Sequence, residues 1–325
     1  MSTEISFGQS LDTYIRAVFG QHRGYDGLNE VLSSIADGAQ KIHQKVQSAA
    51  LTGLLGSSEI RNVHGEIVQR LDIESTRIFV DALSQSGCVA AIGGEELEHL
   101  EVFSGGEQLS YVVLMDPIDG SSNMDVAVSI GSIFGIWRRT LEIPVTESAI
   151  LKPGFQQIAA AYIIYGSSTI LVVATTARVV GFTLDVTSDT FRLTHPKITM
   201  PAECQYYSTN EGNFAKLDKV TQMAVTELRE AYSLRYVGSL VVDFHRNLLK
   251  GGIFLYPGDT KNPQGKLRLM YEASPLGFIA VQAGGAASSG KSPILDIQPQ
   301  SLHQRIPLII GNKDVVSRTV EIMTS

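Results

Sequence analysis

The run Asp116, Pro117, Ile118, Asp119, Gly120, Ser121, Ser122, Asn123 sets two carboxylates three positions apart and follows them with glycine, two serines and an asparagine. Asp116 closes the apolar run YVVLM, the point at which a strand leaves its sheet and side chains face a crevice. Pro117 stiffens the turn, and Asp119 is near enough in sequence to aim at the same point. Two carboxylates so close repel, and like charges crowded without compensation cost stability or force protonation. A hard divalent cation removes the conflict, and Mg²⁺ prefers oxygen ligands of this kind. Gly120, Ser121 and Ser122 add small residues, amides and hydroxyls, a cradle for phosphate oxygens if a helix begins there. A plain turn is the competing reading, since Asp, Pro and Gly are common turn formers. The apolar runs on both sides of the eight residues favour the site.

Other acids complete the set. Glu95 and Glu96 follow the run VAAIGG as Asp116 follows its own, so two strand ends can deliver four carboxylates to one edge. Adjacent residues normally point apart, which assigns one to a metal and the other to a second ion or a water. Asp72, in QRLDIES, falls at the start of a predicted helix, where the macrodipole favours an acid whatever its function. Glu272, in LRLMYEASP, stands between an apolar run and a helix, with capping and ligation equally served.

The elements that must hold these groups are legible from periodicity. Leu28, Val31, Leu32, Ile35, Ala39, Ile42 and Val46 predict an amphipathic helix over 28–50, and a second helix follows at 68–83. The period then changes. Residues 89–94, 111–115, 128–137, 158–166, 169–175 and 180–185 are short apolar runs that read as strands buried on both faces. Helices are expected near 215–231, 239–250 and 275–283, with a strand at 252–257. The polar stretch 196–203 marks a domain seam.

With 325 residues, 44% hydrophobic and 18% charged, the chain has material for two layered domains and shows no composition of disorder. A net charge of -7 argues against a nucleic-acid partner, which demands clustered positive charge. Two cysteines, Cys88 and Cys204, suit neither a metal quartet nor a disulfide framework and fit a reducing compartment. No membrane-spanning run or leader-like opening is read, so the expectation is a cytoplasmic protein.

Five segments narrow the reading: GEE (94–96), DPIDGSSNMDVAVSIGSIFGIWRR (116–139), YSTNEGN (207–213), RYVGSLVVDFHRNLLKGGIFLYP (235–257) and GKLRLMYEASPLGF (265–278). Through them nearly the whole chain resembles the class I fructose-1,6-bisphosphatase family, of the lithium-sensitive, metal-dependent phosphatases that also include inositol monophosphatases. DPIDGSS alone would indicate only that wider group. The resemblance implies the sugar phosphatase fold, an α/β layered αβαβα sandwich of two stacked mixed-sheet domains. Residues 1–196 would carry the effector region, the metals and the 1-phosphate, and residues 197–325 the sugar and 6-phosphate. The implied activity is Mg²⁺-dependent hydrolysis of fructose 1,6-bisphosphate in gluconeogenesis by a homotetramer, with Mn²⁺ as a substitute metal.

By the same resemblance, Glu95, Asp116, Asp119 and Glu272 bind Mg²⁺, joined by Glu96 and the carbonyl of Ile118. Asp72 and Glu96 orient and deprotonate the attacking water, while Glu66 falls in a loop whose acid closes over the site. Asp119, Gly120, Ser121 and Ser122 hold the 1-phosphate. Asn210, Tyr236, Tyr256 and Lys266 match the sugar and 6-phosphate pocket, and Arg235 matches an arginine that arrives from a neighbouring subunit. Tyr111 and Arg138 match part of a nucleotide effector site. That site's GTGELT-like pattern is GYDGLN here (24–29), and Ser110 stands where relatives carry lysine, so weak AMP inhibition is expected. The absence of a cysteine-bearing insertion implies no redox control. Alternatives are a sedoheptulose-1,7-bisphosphatase, alone or with the fructose activity; an inositol monophosphatase, which would leave the 6-phosphate residues without purpose; and a catalytically silent protein on this scaffold.

Overall fold

Side chains of the strand Gln157–Tyr165 alternate between two interiors: Ala159, Ala161, Ile163 and Tyr165 join one apolar cluster, Ala160, Tyr162 and Ile164 another. A strand apolar on both faces has to be covered on both, and that requirement organises the molecule. The computed structural model describes residues 6–19, 25–61 and 67–325. Gln157–Tyr165 lies inside an eight-stranded sheet whose order is Thr190–His195, Val179–Asp185, Thr169–Thr175, Gln157–Tyr165, Ile130–Arg138, Tyr111–Asp119, Val89–Gly94, Glu101–Val102. Neighbours are antiparallel except Val89–Gly94 and Tyr111–Asp119, which run parallel.

Helices Leu11–Phe19, Leu28–Thr52 and Arg70–Ser84 cover one face of this sheet. In Leu28–Thr52 the apolar residues recur every three or four positions, and Leu28, Val31, Leu32, Ile35, Ala39 and Ile42 are all fully buried. Gly38 allows the next helix to approach, because a Cβ there would lie 2.6 Å from the Phe79 ring. Helices Leu240–Lys250 and Ser274–Gln282 cover the other face, inserting Val241, Phe244, Leu276 and Ile279 into a cluster shared with Tyr162 and Val172 above and with Phe254 and Ile310 below. Phe254 and Ile310 belong to a second sheet, ordered Ser233–Leu234, Tyr206–Ser208, Gly252–Tyr256, Leu308–Gly311, Ala286–Ser288, with parallel and antiparallel pairs. Its far face packs Tyr207, Ile253, Leu255 and Ile309 against helices Lys219–Ala231 and Lys313–Thr324. The layers are therefore αβαβα, two stacked mixed sheets with helices outside and between, the fold that the resemblance implies.

Periodicity locates the long elements and misses others. Leu11–Phe19, Lys313–Thr324, Thr190–His195 and the three- and four-residue strands Tyr206–Ser208, Ala286–Ser288 and Leu308–Gly311 are not anticipated. Strands that short fill at most two repeats of the strand pattern. The helix expected from 215 starts at Lys219, after a 3₁₀ turn Glu211–Lys216. The strand that opens at Tyr111 does not end at Met115 but continues to Asp119, with consequences for the site. The stretch 196–203 passes between the sheets with Ile198 and Met200 buried in the middle cluster.

Candidate active site

Side chains three apart on a regular strand face opposite sides, so Asp116 and Asp119 ought to diverge. Pairing with Ile130–Arg138 shows why they do not. Up to Asp116↔Ile133 the register is regular, whereas Asp119 pairs with Gly131, leaving one extra residue on the strand that carries the acids. This bulge reverses the alternation and turns both carboxylates toward one side. Pro117, which has no N–H to offer a ladder, sits within it, and the buried Ser132 hydroxyl donates to the Pro117 carbonyl at 2.6 Å. On the other side the parallel register pairs Gly94 with Met115, and Glu95 N–H bonds the Met115 carbonyl at 3.2 Å, so Glu95 emerges beside Asp116. The acids thus gather at the carboxyl ends of the parallel strands in this sheet.

Asp72 enters from the first turn of Arg70–Ser84, and Glu272 from a widened turn, Leu269–Ala273, closed by a bond from Ser274 N–H to the Leu269 carbonyl five residues back. Together with Glu95, Glu96, Asp116, Ile118, Asp119, Gly120, Ser121 and Ser122 they line one cavity of about 200 Å³. Oxygens of Asp116, Asp119 and Glu272 lie within 4.8 Å of one another.

Each of four acids gives one oxygen to the backbone. Asp72 Oδ2 accepts from Gln69 N–H at 2.8 Å in a capping box. Asp116 Oδ1 accepts from Ile118 N–H at 3.1 Å. Asp119 Oδ2 accepts from the Ser239 hydroxyl and from Val241 N–H at 2.9 Å, so it caps the helix Leu240–Lys250. Glu272 Oε2 accepts from Arg268 N–H. Capping and site lining are therefore not alternatives for Asp72, which does both; Glu272 caps no helix, neither Ser274–Gln282 nor its own turn, and gives one oxygen to the Arg268 amide.

Burial and mutual repulsion leave these carboxyls reluctant to ionise. Asp72 is pushed up to about 7, mainly by burial and further by Glu95, against the Gln69 amide and Ser121. Burial, then Glu95, Asp119, Glu272 and Asp72, raises Asp116 well above the ordinary carboxylate range. Glu272 is raised by burial and Glu95, with Arg268 opposing. Asp119 is raised by burial despite its hydrogen bonds to Ser239 and Val241. Asp72 Oδ1 is buried and has no hydrogen-bond partner among the described residues. A buried acceptor and crowded carboxylates on hard oxygen atoms fit a divalent cation, which supplies the missing positive charge.

Beside the acids lies a shelf. Gly120, at φ 76, occupies the left-handed region, and a Cβ on it would fall 2.6 Å from Ser239 Cβ. Ser121 opens a 3₁₀ turn, Ser121–Val126, and both it and Ser122 line the same cavity.

The second sheet delivers the other group. Tyr206–Ser208, Ser233–Leu234 and Gly252–Tyr256 are parallel, with Tyr206 level with Ser233 and Gly252, so Asn210, Arg235, Tyr236 and Tyr256 leave the sheet at one edge. Tyr236 is pushed up to about 12 by burial, then by Tyr256, Asp243 and Asp119. Asn210 caps the turn Glu211–Lys216, its Oδ1 accepting from Gly212 N–H at 3.1 Å. Lys266 is exposed, and the Asp259 carboxyl, held below the usual range mainly by the Asn262 amide, is lowered slightly further by its charge. Arg235 is exposed, its guanidinium 5.5 Å from the centroid of the Tyr206 ring.

Sequence reasoning did not single out Asp243 and Arg246, which shape this edge. The buried Asp243 accepts from Val237 N–H at 2.9 Å and Gly238 N–H at 3.1 Å, and from Arg246 at 2.6 Å. Ser239 before an apolar helical run signals a cap, but nothing local reveals its partner Asp119. Of the effector pair, Tyr111 is fully buried and donates to the Asp26 carbonyl at 2.7 Å, and Arg138 is exposed at the end of the neighbouring strand. Glu66 lies outside the described residues, as does Gly24 of the GYDGLN stretch.

Layered sheets with carboxylates crowded against a shelf of amides and hydroxyls define a class, the metal-dependent hydrolases of phosphate esters. Residues 14–196 match the family model described as fructose-1-6-bisphosphatase, N-terminal domain, and residues 200–324 the one described as its C-terminal domain. The chain belongs to the fructose-1,6-bisphosphatase family. It is similar to the crystal structure of Leishmania major fructose-1,6-bisphosphatase in holo form, at 36% identity and TM-score 0.92, covering 98% of this chain and 100% of that one. The apo and T-state structures of the same protein match at 34% identity and TM-score 0.88, with the same coverage. Among the described residues no helix is long and apolar enough to cross a membrane, and Cys88 and Cys204 are free.

Proposed function

We propose that this enzyme hydrolyses the 1-phosphate of D-fructose 1,6-bisphosphate to fructose 6-phosphate and inorganic phosphate, with Mg²⁺ as its cofactor and Mn²⁺ as a substitute. The observation that carries the reading is the convergence of Asp72, Glu95, Glu96, Asp116, Asp119 and Glu272 on one cavity beside residues 120–122. Glu95, Asp116, Asp119 and Glu272 would hold the cation, with Glu96 and the Ile118 carbonyl completing the set. Bound there, it would neutralise the phosphoryl oxygens, acidify the attacking water and stabilise the departing C1 oxygen.

The chain's own groups supply the rest. Asp72, with a carboxyl near 7 and an unpartnered Oδ1, takes a proton from water while Glu96 orients it. The water oxygen bonds to phosphorus as the bond from phosphorus to the C1 oxygen breaks, and that oxygen keeps the electron pair and takes up a proton. Amides and hydroxyls of residues 120–122 donate to the phosphoryl oxygens. Asn210, Tyr236, Tyr256 and Lys266 hold the sugar and its 6-phosphate, a dianion that needs cationic and phenolic donors. Arg235, exposed on its own protomer, reaches a neighbour's pocket in a homotetramer.

Phosphate release from fructose 1,6-bisphosphate should require added Mg²⁺ and be abolished in Asp119→Asn. The protein assayed should have a solution mass four times that of the 35.2 kDa chain. Undiminished activity in Asp119→Asn would refute the metal assignment, and a fully active monomer would remove the neighbour's role for Arg235.

A further inference from the structure

Glu95 and Glu96 stand on a short excursion that leaves the sheet at Gly94 and returns at the strand Glu101–Val102. Its near end is tied to the sheet by the bond from Glu95 N–H to the Met115 carbonyl at 3.2 Å, and Leu97 N–H closes a turn on the Gly94 carbonyl at 3.2 Å. Its far end is tied by something else. His303, some 205 residues along the chain, places Nε2 at 3.2 Å from the Glu98 carbonyl and Nδ1 at 2.9 Å from the Tyr271 hydroxyl.

The two contacts fix the chemistry of the ring. A carbonyl only accepts, so Nε2 carries the hydrogen and donates to Glu98; Nδ1 is then an acceptor, and the Tyr271 hydroxyl donates to it. Burial lowers the proton affinity of the imidazole and Arg268 adds to the effect, against the Glu98 and Leu97 carbonyls and Glu147, and the balance favours the neutral ring that these two contacts call for. Tyr271 is itself fully buried, its ring meeting the imidazole edge-on with centroids 5.8 Å apart. It immediately precedes Glu272, inside the widened turn that aims Glu272 at the cavity. Beside His303, Leu302 packs with Ala91, Leu114, Met270 and Tyr271 in one buried cluster, so the imidazole rides on a packed base.

We infer that His303 is a positioning residue for the cation site: it ties the backbone after Glu95 and Glu96 to Tyr271, the neighbour of Glu272, and so fixes the spacing between acids supplied by the two halves of the chain. His303 is not among the residues that line the cavity. The inference rests on the proposed metal-dependent reading of this site, and partners behind a ligand set typically change metal affinity by about 10- to 100-fold when removed.

Mn²⁺ alone, titrated into the full-length protein and followed by loss of the free-ion electron paramagnetic resonance signal, tests it. His303→Ala and Tyr271→Phe should each weaken Mn²⁺ binding by about tenfold or more. Together they should weaken it little beyond His303→Ala, since both act through one bridge. His303→Gln, whose amide can both accept and donate, should recover most of the affinity. Hydrogen exchange should rise over residues 95–101 in His303→Ala and stay unchanged in the helix Leu28–Thr52. Parental Mn²⁺ affinity in a folded His303→Ala or Tyr271→Phe protein would overturn the inference, even if the melting temperature fell, because that pattern marks support of the fold alone. A parent protein that fails to bind Mn²⁺ would overturn the metal reading beneath it.

Discussion

A buried carboxylate is a poor thing to keep without a partner, and Asp72, Asp116, Asp119 and Glu272 share the difficulty in one cavity of about 200 Å³. Their hydrogen bonds to backbone amides hold one oxygen of each in place, while the crowded charges are offset only in part, as by Arg268 at Glu272. The sign of the resulting pH dependence follows. Folded Asp72 protonates near 7, against an ordinary 3.8, so the folded state binds the proton more tightly than the unfolded chain. The stability this lends is complete below about pH 4 and is lost as pH rises through about 7; the raised Asp116, Asp119 and Glu272 act in the same direction. Protein freed of metal by chelation should accordingly melt at lower temperature as pH is raised from about 5 to about 8. Added Mg²⁺, which favours the ionised carboxyls, should raise the melting temperature more at the upper end of that range. A chelated protein that gained stability across this interval would contradict the assignment of the four acids as repelling, cation-dependent groups.

Strands and turns decide where those acids point. The bulge between Asp116 and Asp119 sets their phase, and the parallel register at Met115 sets Glu95 beside them. The helix Leu240–Lys250 joins the acids to the opposite edge: its N-cap Ser239 and its Val241 amide both donate to Asp119, and Asp243 in its first turn gathers the amides of Val237 and Gly238 just after Arg235 and Tyr236. Asp243→Ala would strip Arg246 of its buried partner and release that segment. The expected cost is about 3–5 kcal/mol in urea-induced unfolding. KM for the bisphosphate should rise, with kcat less affected, because the segment presents the residues proposed for the far phosphate. Unchanged KM in a variant destabilised by this amount would separate Asp243 from substrate binding.

Across the molecule as a whole, the two larger sheets share one continuous middle. Phe244, Val241, Leu276 and Ile279 contact the large sheet through Tyr162 and Val172, and belong to the same cluster as Phe254 and Ile310 of the small one. Neither sheet can lose this layer and keep its inner face dry. Although separate family models match the two parts, the chain should unfold in a single calorimetric transition. Phe244→Ala should lower that transition as a unit, by about 3–5 kcal/mol. Two resolved transitions, with only the later-sequence part shifted, would show that the sheets are stabilised independently.

Much of this was legible in the sequence because it is periodic or local. The helix Leu28–Thr52 and the strand Val89–Gly94 announce themselves through spacing, and Asp116 and Asp119 through their company of Pro117, Gly120 and two serines. Residue types alone named a cation and a phosphate as the natural occupants, since crowded carboxylates and exposed hydroxyls have few other uses. Three things lay beyond it. One extra residue in a strand reverses the side a carboxylate faces, and that is a property of pairing with Ile130–Arg138, which no local pattern encodes. Asp119 capping a helix that starts at Leu240, and His303 reaching the Glu98 carbonyl, are contacts across 122 and 205 positions that only the packed layers bring within hydrogen-bond distance. Burial, too, belongs to the fold: an aspartate in water ionises near 3.8, and Asp72 does so near 7 because the surrounding protein has removed the water that would have solvated its charge.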